Sequence, residues 1–112
     1  MDSTQERYIL SHDIGTSSDK AVLVRFDGTI RATASAPYPT RYPNPAWVEQ
    51  DPADYYRAVC DTSRRVLAEN GIPPESVAGV VFSTQAQGVI PVDADGTVLY
   101  PNITWVDGRA EK

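Results

Sequence analysis

Apolar and polar residues alternate along the first third of the chain in the manner of β-strands. Strand-like runs cover residues 8–13, 21–26 and 29–35, and clusters of small or turn-forming residues separate them. Asp27-Gly28, between the second and third runs, is a two-residue hairpin signal. The pattern therefore predicts an antiparallel meander of three strands.

A proline-rich stretch and then a helix follow the meander. Five of the nine prolines lie between residues 37 and 52, and the aromatic residues among them favour an ordered loop packed against the domain over an interdomain linker. Asp51 and Pro52 are typical of a helix N-terminus, and Asn70-Gly71 is typical of a helix end. Helical spacing predicts a helix to about residue 69 whose packed face carries Tyr56, Val59, Cys60, Ser63, Val66 and Leu67.

Residues 77–82 are almost continuously apolar, which is typical of a strand buried on both faces and paired in parallel after a crossover helix. Two further short strands, 89–92 and 97–100, are predicted as a small hairpin around the turn at residues 93–96. The predicted order is βββαβ with a mixed sheet, and the fold class is α/β.

Composition and charge narrow the function classes. A length of 112 residues allows one domain or part of one, and a net charge of -5 argues against binding to the phosphate backbone of nucleic acid. One cysteine and one histidine exclude an internal disulfide and a Cys/His zinc cluster. Without a long apolar stretch or a secretory signal pattern, we expect no membrane span and a cytoplasmic location.

The first candidate site is the segment between the first two predicted strands. Asp13 ends a strand, the small residues Gly15, Thr16, Ser17 and Ser18 follow it, and Lys20 comes next. Small residues let backbone N–H groups approach phosphate oxygens, and the carboxylate of Asp13 could hold Mg²⁺. The same residues also fit an ordinary β-turn.

Two further clusters carry polar or aromatic groups suited to sugars. Residues 85–88, Gln-Ala-Gln-Gly, follow the buried-type strand, where ligand sites of α/β sheets lie, although their spacing alone favours a solvated turn. Trp105 offers a flat face to a sugar ring and Asp107 offers an acceptor. In isolation, a core tryptophan and a structural Asp107–Arg109 ion pair are the simpler interpretation, and His12 is expected to be a packed strand residue.

Four motifs in this order resemble the N-terminal part of the FGGY carbohydrate kinases, a family that includes xylulokinase, gluconokinase and glycerol kinase. They read DIGTSSDK from Asp13, WVEQDP from Trp47, QAQG from Gln85 and WVDGR from Trp105. The resemblance implies the N-terminal part of an actin-like, ribonuclease H-like ATPase domain. Residues 1–7 would be a polar tail, and residues 8–112 an incomplete portion of the first kinase domain.

The resemblance also implies roles for individual residues. Asp13 would help to hold the Mg²⁺ of MgATP, and the ATP phosphates would bind Gly15, Thr16, Ser17, Ser18 and Lys20. The sugar pocket would include Gln85, Ala86, Gln87, Gly88, Trp105 and Asp107. The catalytic base of the family, an aspartate, is expected beyond residue 112, so none of the residues of this chain is assigned to that role.

The expected function of the full-length protein is ATP-dependent phosphorylation of a pentulose or related polyol, with ATP and Mg²⁺ as cofactors and no activity in residues 1–112 alone. The expected partners are a small sugar and ATP, not nucleic acid or membrane, and a homodimer is compatible with the family. Two alternatives remain open: another substrate of the family, such as gluconate, glycerol or a deoxy sugar, and a non-catalytic sugar- or nucleotide-binding module.

Overall fold

The computed structural model describes residues 6–111, in which one helix packs on a four-stranded mixed sheet. Strands β1 (Tyr8–Ile14), β2 (Ser18–Arg25) and β3 (Ile30–Pro37) are antiparallel neighbours, and β5 (Val77–Thr84) pairs with β1 in parallel, giving the order β3-β2-β1-β5. Two short strands, β4 (Glu49–Gln50) and β6 (Asn102–Ile103), form a separate antiparallel pair. Most of the predicted polar tail, residues 1–5, and Lys112 lie outside the described residues.

The predicted meander is confirmed. Gly28 has φ of 91° in the β2–β3 hairpin, a left-handed conformation that glycine adopts without steric cost. The register sets His12 opposite Ala21, Asp13 opposite Lys20 and Ile14 opposite Asp19. Because directly opposed residues share a face of the sheet, Asp13 and Lys20 lie on one face and His12 and Asp19 on the other.

Helix α1 (Pro52–Ala68) begins where the sequence predicts, since the Asp51 side chain accepts a hydrogen bond from the Ala53 N–H at 3.0 Å. The predicted packed face is confirmed at Val66, which is buried, and at Leu67, which packs against the same core. Val59, Cys60 and Ser63 are half-buried, and the prediction is wrong at Tyr56. Tyr56 is 74% exposed, and the buried stripe is spaced four residues apart: Asp54, Ala58, Thr62 and Val66. This stripe faces β2 and β3, where the carboxylate of Asp19 provides a buried acceptor for the Thr62 hydroxyl at 2.7 Å.

Strand β5 confirms the predicted parallel pairing but contradicts the predicted burial. Val80, Val81 and Phe82 are each about half exposed. In the described residues β5 is the edge of the sheet, and α1 lies over β2 and β3 rather than over β5. The apolar run therefore predicted the strand correctly. Residues 6–111 do not supply the elements that would bury these side chains.

The remaining segments bring the chain back towards the end of β1. The predicted hairpin of residues 89–100 folds back on itself through a single bridge between Val92 and Val98, without regular strands in the described residues. The proline-rich segment is an ordered loop, as predicted, with Tyr38 6% exposed.

Within residues 6–111, α1 is too short and too polar to cross a membrane, and no other helix is longer.

Candidate functional site

An open cleft of 340 Å³ lies at the carboxyl ends of the parallel strands β1 and β5. The two ends are joined by a hydrogen bond from the Gln85 N–H to the carbonyl of Ile14 at 2.8 Å. The cleft brings together residues of all three predicted clusters; its lining is Asp13, Gly15, Thr16, Thr84, Gln85, Ala86, Gln87 and Trp105. Five other residues that the sequence singled out do not line the cleft: Ser17, Ser18, Lys20, Gly88 and Asp107.

The β1–β2 turn, residues 15–17, is held by side chains that reach its backbone carbonyls from inside the protein. Tyr38 donates its hydroxyl to the Gly15 carbonyl, which also accepts from Gln85 Nε2 at 3.2 Å. Gln50 Nε2 donates to the Thr16 carbonyl at 2.6 Å. The first two carbonyls of the turn thus point inwards.

Inward carbonyls determine where the turn's N–H groups point. In a planar trans peptide the C=O and the following N–H are antiparallel, and residues 6–111 contain no cis peptide bond. The N–H groups of Thr16 and Ser17 therefore point away from the protein interior. Successive outward N–H groups in a turn are suited to binding an anion such as a phosphate.

Asp13 and Lys20 flank this turn on the same face of the sheet, because they are opposed in the β1–β2 register. Both are exposed, and Asp13 lines the cleft. Residues 6–111 hold no cluster of three or more metal-ligating side chains. A single exposed carboxylate still fits Mg²⁺, which usually retains several waters and binds proteins through one or two carboxylates together with substrate phosphates.

Residues 85–87 form one wall of the cleft, and Gly88 follows them without lining it. Gln87 has φ of 65°, a conformation that is uncommon for residues other than glycine. Gly88 packs so closely on Asn102 that a Cβ there would lie 2.6 Å from Asn102 Oδ1. A larger residue at position 88 would therefore have to displace the Asn102 side chain.

Trp105 lines the cleft with 52% of its surface exposed. Its indole Nε1 donates to Thr16 Oγ1 at 3.1 Å, so the β1–β2 turn fixes the orientation of the ring. An exposed aromatic face with a satisfied polar edge can stack on the C–H face of a sugar.

Asp107 and Arg109 form the structural ion pair that was the simpler interpretation of the sequence. Asp107 accepts from the backbone N–H of Val48 at 2.6 Å and from Arg109 Nη2 at 2.8 Å, and its side chain is 3% exposed. The hydrogen bonds from Arg109 hold the pKa of Asp107 well below its ordinary value. Arg109 also donates to Glu49 at 2.7 Å and lies over the Trp47 ring at 4.1 Å. Direct sugar contact by Asp107 stays a prediction.

His12 is completely buried, as expected for a packed strand residue. Its ring nitrogens lie 2.8 Å from Asp19 Oδ2 and 2.9 Å from Ser63 Oγ, and the ring stacks on Phe82. These contacts join β1, β2 and α1 on the face of the sheet opposite Asp13.

Sequence reasoning assigned no role at the cleft to Tyr38, Gln50 and Tyr55, although all three belong to the hydrogen-bond network that holds it. Tyr55 donates to Gln50 Oε1 at 2.5 Å, and burial raises the pKa of both tyrosines. Tyr38 belongs to the aromatic residues of the proline-rich loop and Gln50 to the WVEQDP motif, but neither pattern indicated a contact with the β1–β2 turn.

Comparison with known proteins agrees with the resemblance drawn from the motifs. Residues 8–112 match the family described as the FGGY family of carbohydrate kinases, N-terminal domain. A glycerol kinase of Citrifermentans bemidjiense is 37% identical over 91% of the chain and 21% of its own length, and a gluconokinase of Bacillus subtilis is 36% identical over 93% and 20%. The crystal structure of a xylulose kinase from Rhodospirillum rubrum superposes with a TM-score of 0.78 at 35% identity, covering 95% of this chain and 22% of that one.

The chain thus spans about a fifth of the length of these relatives. Its mixed sheet, in which three antiparallel strands precede the helix and the parallel strand β5 follows it, agrees with the N-terminal part of the actin-like ATPase domain implied by the motifs. The family match covers all but the first seven residues, and the chain belongs to the FGGY family of carbohydrate kinases.

Proposed function

We propose that, within its full-length protein, this chain supplies the β1–β2 turn that binds the ATP phosphates and one wall of the sugar pocket of an ATP-dependent sugar kinase. The observation that carries the proposal is the single cleft shared by Asp13, the β1–β2 turn, residues 85–88 (the glutamine segment) and Trp105. An anion-binding turn beside a neutral polar wall and an aromatic face suits a reaction between a nucleotide phosphate and a polyol.

In this proposal the sugar hydroxyl attacks the γ-phosphorus, the bond to the β–γ bridging oxygen breaks, and ADP leaves. The outward N–H groups of Thr16 and Ser17 bind phosphate oxygens, and Lys20 adds positive charge on the same face as Asp13. Asp13 would hold Mg²⁺, which supplies charge neutralisation to the phosphates when bound. The base that takes the hydroxyl proton is expected outside residues 1–112.

For the substrate we propose a neutral sugar, a pentulose or related polyol. Gln87 offers an amide group that both donates and accepts hydrogen bonds, and Trp105 offers its exposed ring face. The two N–H donors of Gln85 are already used by the Gly15 carbonyl and by Gln50 Oε1, so Gln85 contributes to the pocket by shaping its wall. Among the described residues, those that line the cleft include no lysine or arginine. A carboxylated substrate such as gluconate would need a cation from elsewhere, so it is the less favoured candidate.

The test is a coupled assay of ADP formation by the full-length protein with MgATP and a panel containing xylulose, ribulose, glycerol and gluconate. We expect turnover with a neutral polyol and a loss of at least about a hundredfold in kcat/KM on Asp13→Ala. Asp95→Ala is the matched control, because Asp95 is an exposed carboxylate in the 93–96 turn and does not line the cleft. Undiminished activity of the Asp13→Ala variant would refute the assignment of the phosphate site.

A further inference from the structure

Gln50 is a buried amide at the centre of a hydrogen-bond network beneath the cleft. It is 1% exposed. Its Nε2 donates to the Thr16 carbonyl at 2.6 Å and to Thr40 Oγ1 at 3.1 Å. Its Oε1 accepts from the Tyr55 hydroxyl at 2.5 Å and from Gln85 Nε2 at 3.1 Å. A glutamine amide has two N–H donors and two acceptor lone pairs, so every hydrogen-bonding position of Gln50 is used.

The partners of Gln50 belong to the two functional halves of the cleft. Thr16 lies in the β1–β2 turn, where its inward carbonyl directs the Ser17 N–H outwards. Gln85 begins the glutamine segment, and its Nε2 also reaches the Gly15 carbonyl at 3.2 Å. Gln50 does not line the cleft, so its contribution acts through these two neighbours.

A fully paired buried amide fixes the distance between the groups that it joins, because any shift breaks hydrogen bonds that water does not replace. Trp105 adds a second link between the halves through Thr16 Oγ1. The turn and the glutamine segment therefore share one rigid support.

We propose that Gln50 is a positioning residue that sets the β1–β2 turn for nucleotide phosphate and couples it to the sugar side through Gln85. The inference deepens the proposed function and rests on it for the identity of the two ligands. Coupling of this kind is reciprocal: sugar binding raises nucleotide affinity by the same factor as nucleotide binding raises sugar affinity.

The test uses the full-length protein and three variants. Gln50→Met removes all four hydrogen bonds at similar volume. Gln50→Asn keeps the amide group but shortens the side chain by one methylene, so it cannot reach all four partners at once, and it serves as the milder variant if the methionine variant does not fold. Thr40→Val is the matched control, because it removes a hydrogen bond of the same amide to a residue that belongs neither to the turn nor to the glutamine segment.

The measurements are the Kd of a non-hydrolysable MgATP analogue by calorimetry, with and without the sugar that gives turnover, and the thermal midpoint of each variant. We expect Gln50→Met to raise the Kd of the analogue by roughly threefold to tenfold, the equivalent of one lost hydrogen bond. The factor by which sugar tightens the analogue should fall towards one. Thr40→Val should lower the thermal midpoint while leaving the Kd and the coupling factor close to those of the wild type.

An analogue Kd that is equal in the Gln50 and Thr40 variants at similar thermal midpoints would overturn the inference, because the network would then be only structural. The proposed function is judged separately by the wild type. If the wild type binds the analogue but phosphorylates none of the sugars, the proposed function fails, and the comparison of Kd values still decides the role of Gln50.

Discussion

Replacing Gly88 with alanine tests how rigidly the glutamine segment is packed. The new Cβ would lie 2.6 Å from Asn102 Oδ1, and that distance must lengthen by 0.8 Å, from 2.6 to 3.4 Å, to become an ordinary contact. Asn102 is 3% exposed and its Nδ2 donates to the Tyr55 hydroxyl at 2.8 Å, so its side chain cannot turn away without losing that bond. Overpacking of this kind costs about 1–3 kcal/mol.

We therefore expect Gly88→Ala to lower the free energy of unfolding by about 1–3 kcal/mol in urea titrations of the full-length protein, and to raise the KM for sugar more than the KM for ATP. Gly79→Ala is the control, since its Cβ would meet Ile9 at an ordinary 3.6 Å; we expect a change of about 0.5 kcal/mol or less. Adding Asn102→Ala removes the clashing atom, so Gly88→Ala should cost little in that background. Equal costs of Gly88→Ala in both backgrounds would refute the steric argument.

Two further predictions concern the supports of the cleft. Tyr38→Phe should cost only about 1 kcal/mol in urea unfolding, because the Gly15 and Ser18 carbonyls each keep a second hydrogen bond, and it should raise the KM for ATP; an unchanged KM would show that the turn keeps its shape without the phenol. The pKa of Asp107 is lowered, so its ionised form contributes stability at neutral pH that is lost as the pH falls below about 4. Asp107→Asn should flatten that acid-side slope of the stability–pH curve, and a slope equal to that of the wild type would contradict the ion-pair argument.

Elements with a local cause were predictable from the sequence. The Asp27-Gly28 hairpin and the Asp51 helix cap each depend on a few adjacent residues, and both lie where the pattern predicts them. The cleft was predictable in part for a similar reason: parallel strands end at the same edge, so Asp13 and Gln85 meet once β1 and β5 are paired.

Features decided by distant contacts were not predictable. The buried face of α1 is rotated towards Thr62 because Asp19, 43 residues away, offers a buried acceptor. The exposure of β5 depends on which elements lie over it. The pairing of Asp107 with Arg109 was available as an alternative, but the supporting role of Gln50 depends on partners 34 and 35 residues away in sequence.

The inward carbonyls of the β1–β2 turn have a consequence for how this sequence can vary. The groups offered to an anion are main-chain N–H groups, which every residue except proline carries. A saturation library should therefore tolerate many side chains at the exposed Ser17 and few at Tyr38 and Gln50, which do not line the cleft. The positions around this site that tolerate the fewest substitutions would then be the buried residues that hold the turn, rather than the residues that face the ligand.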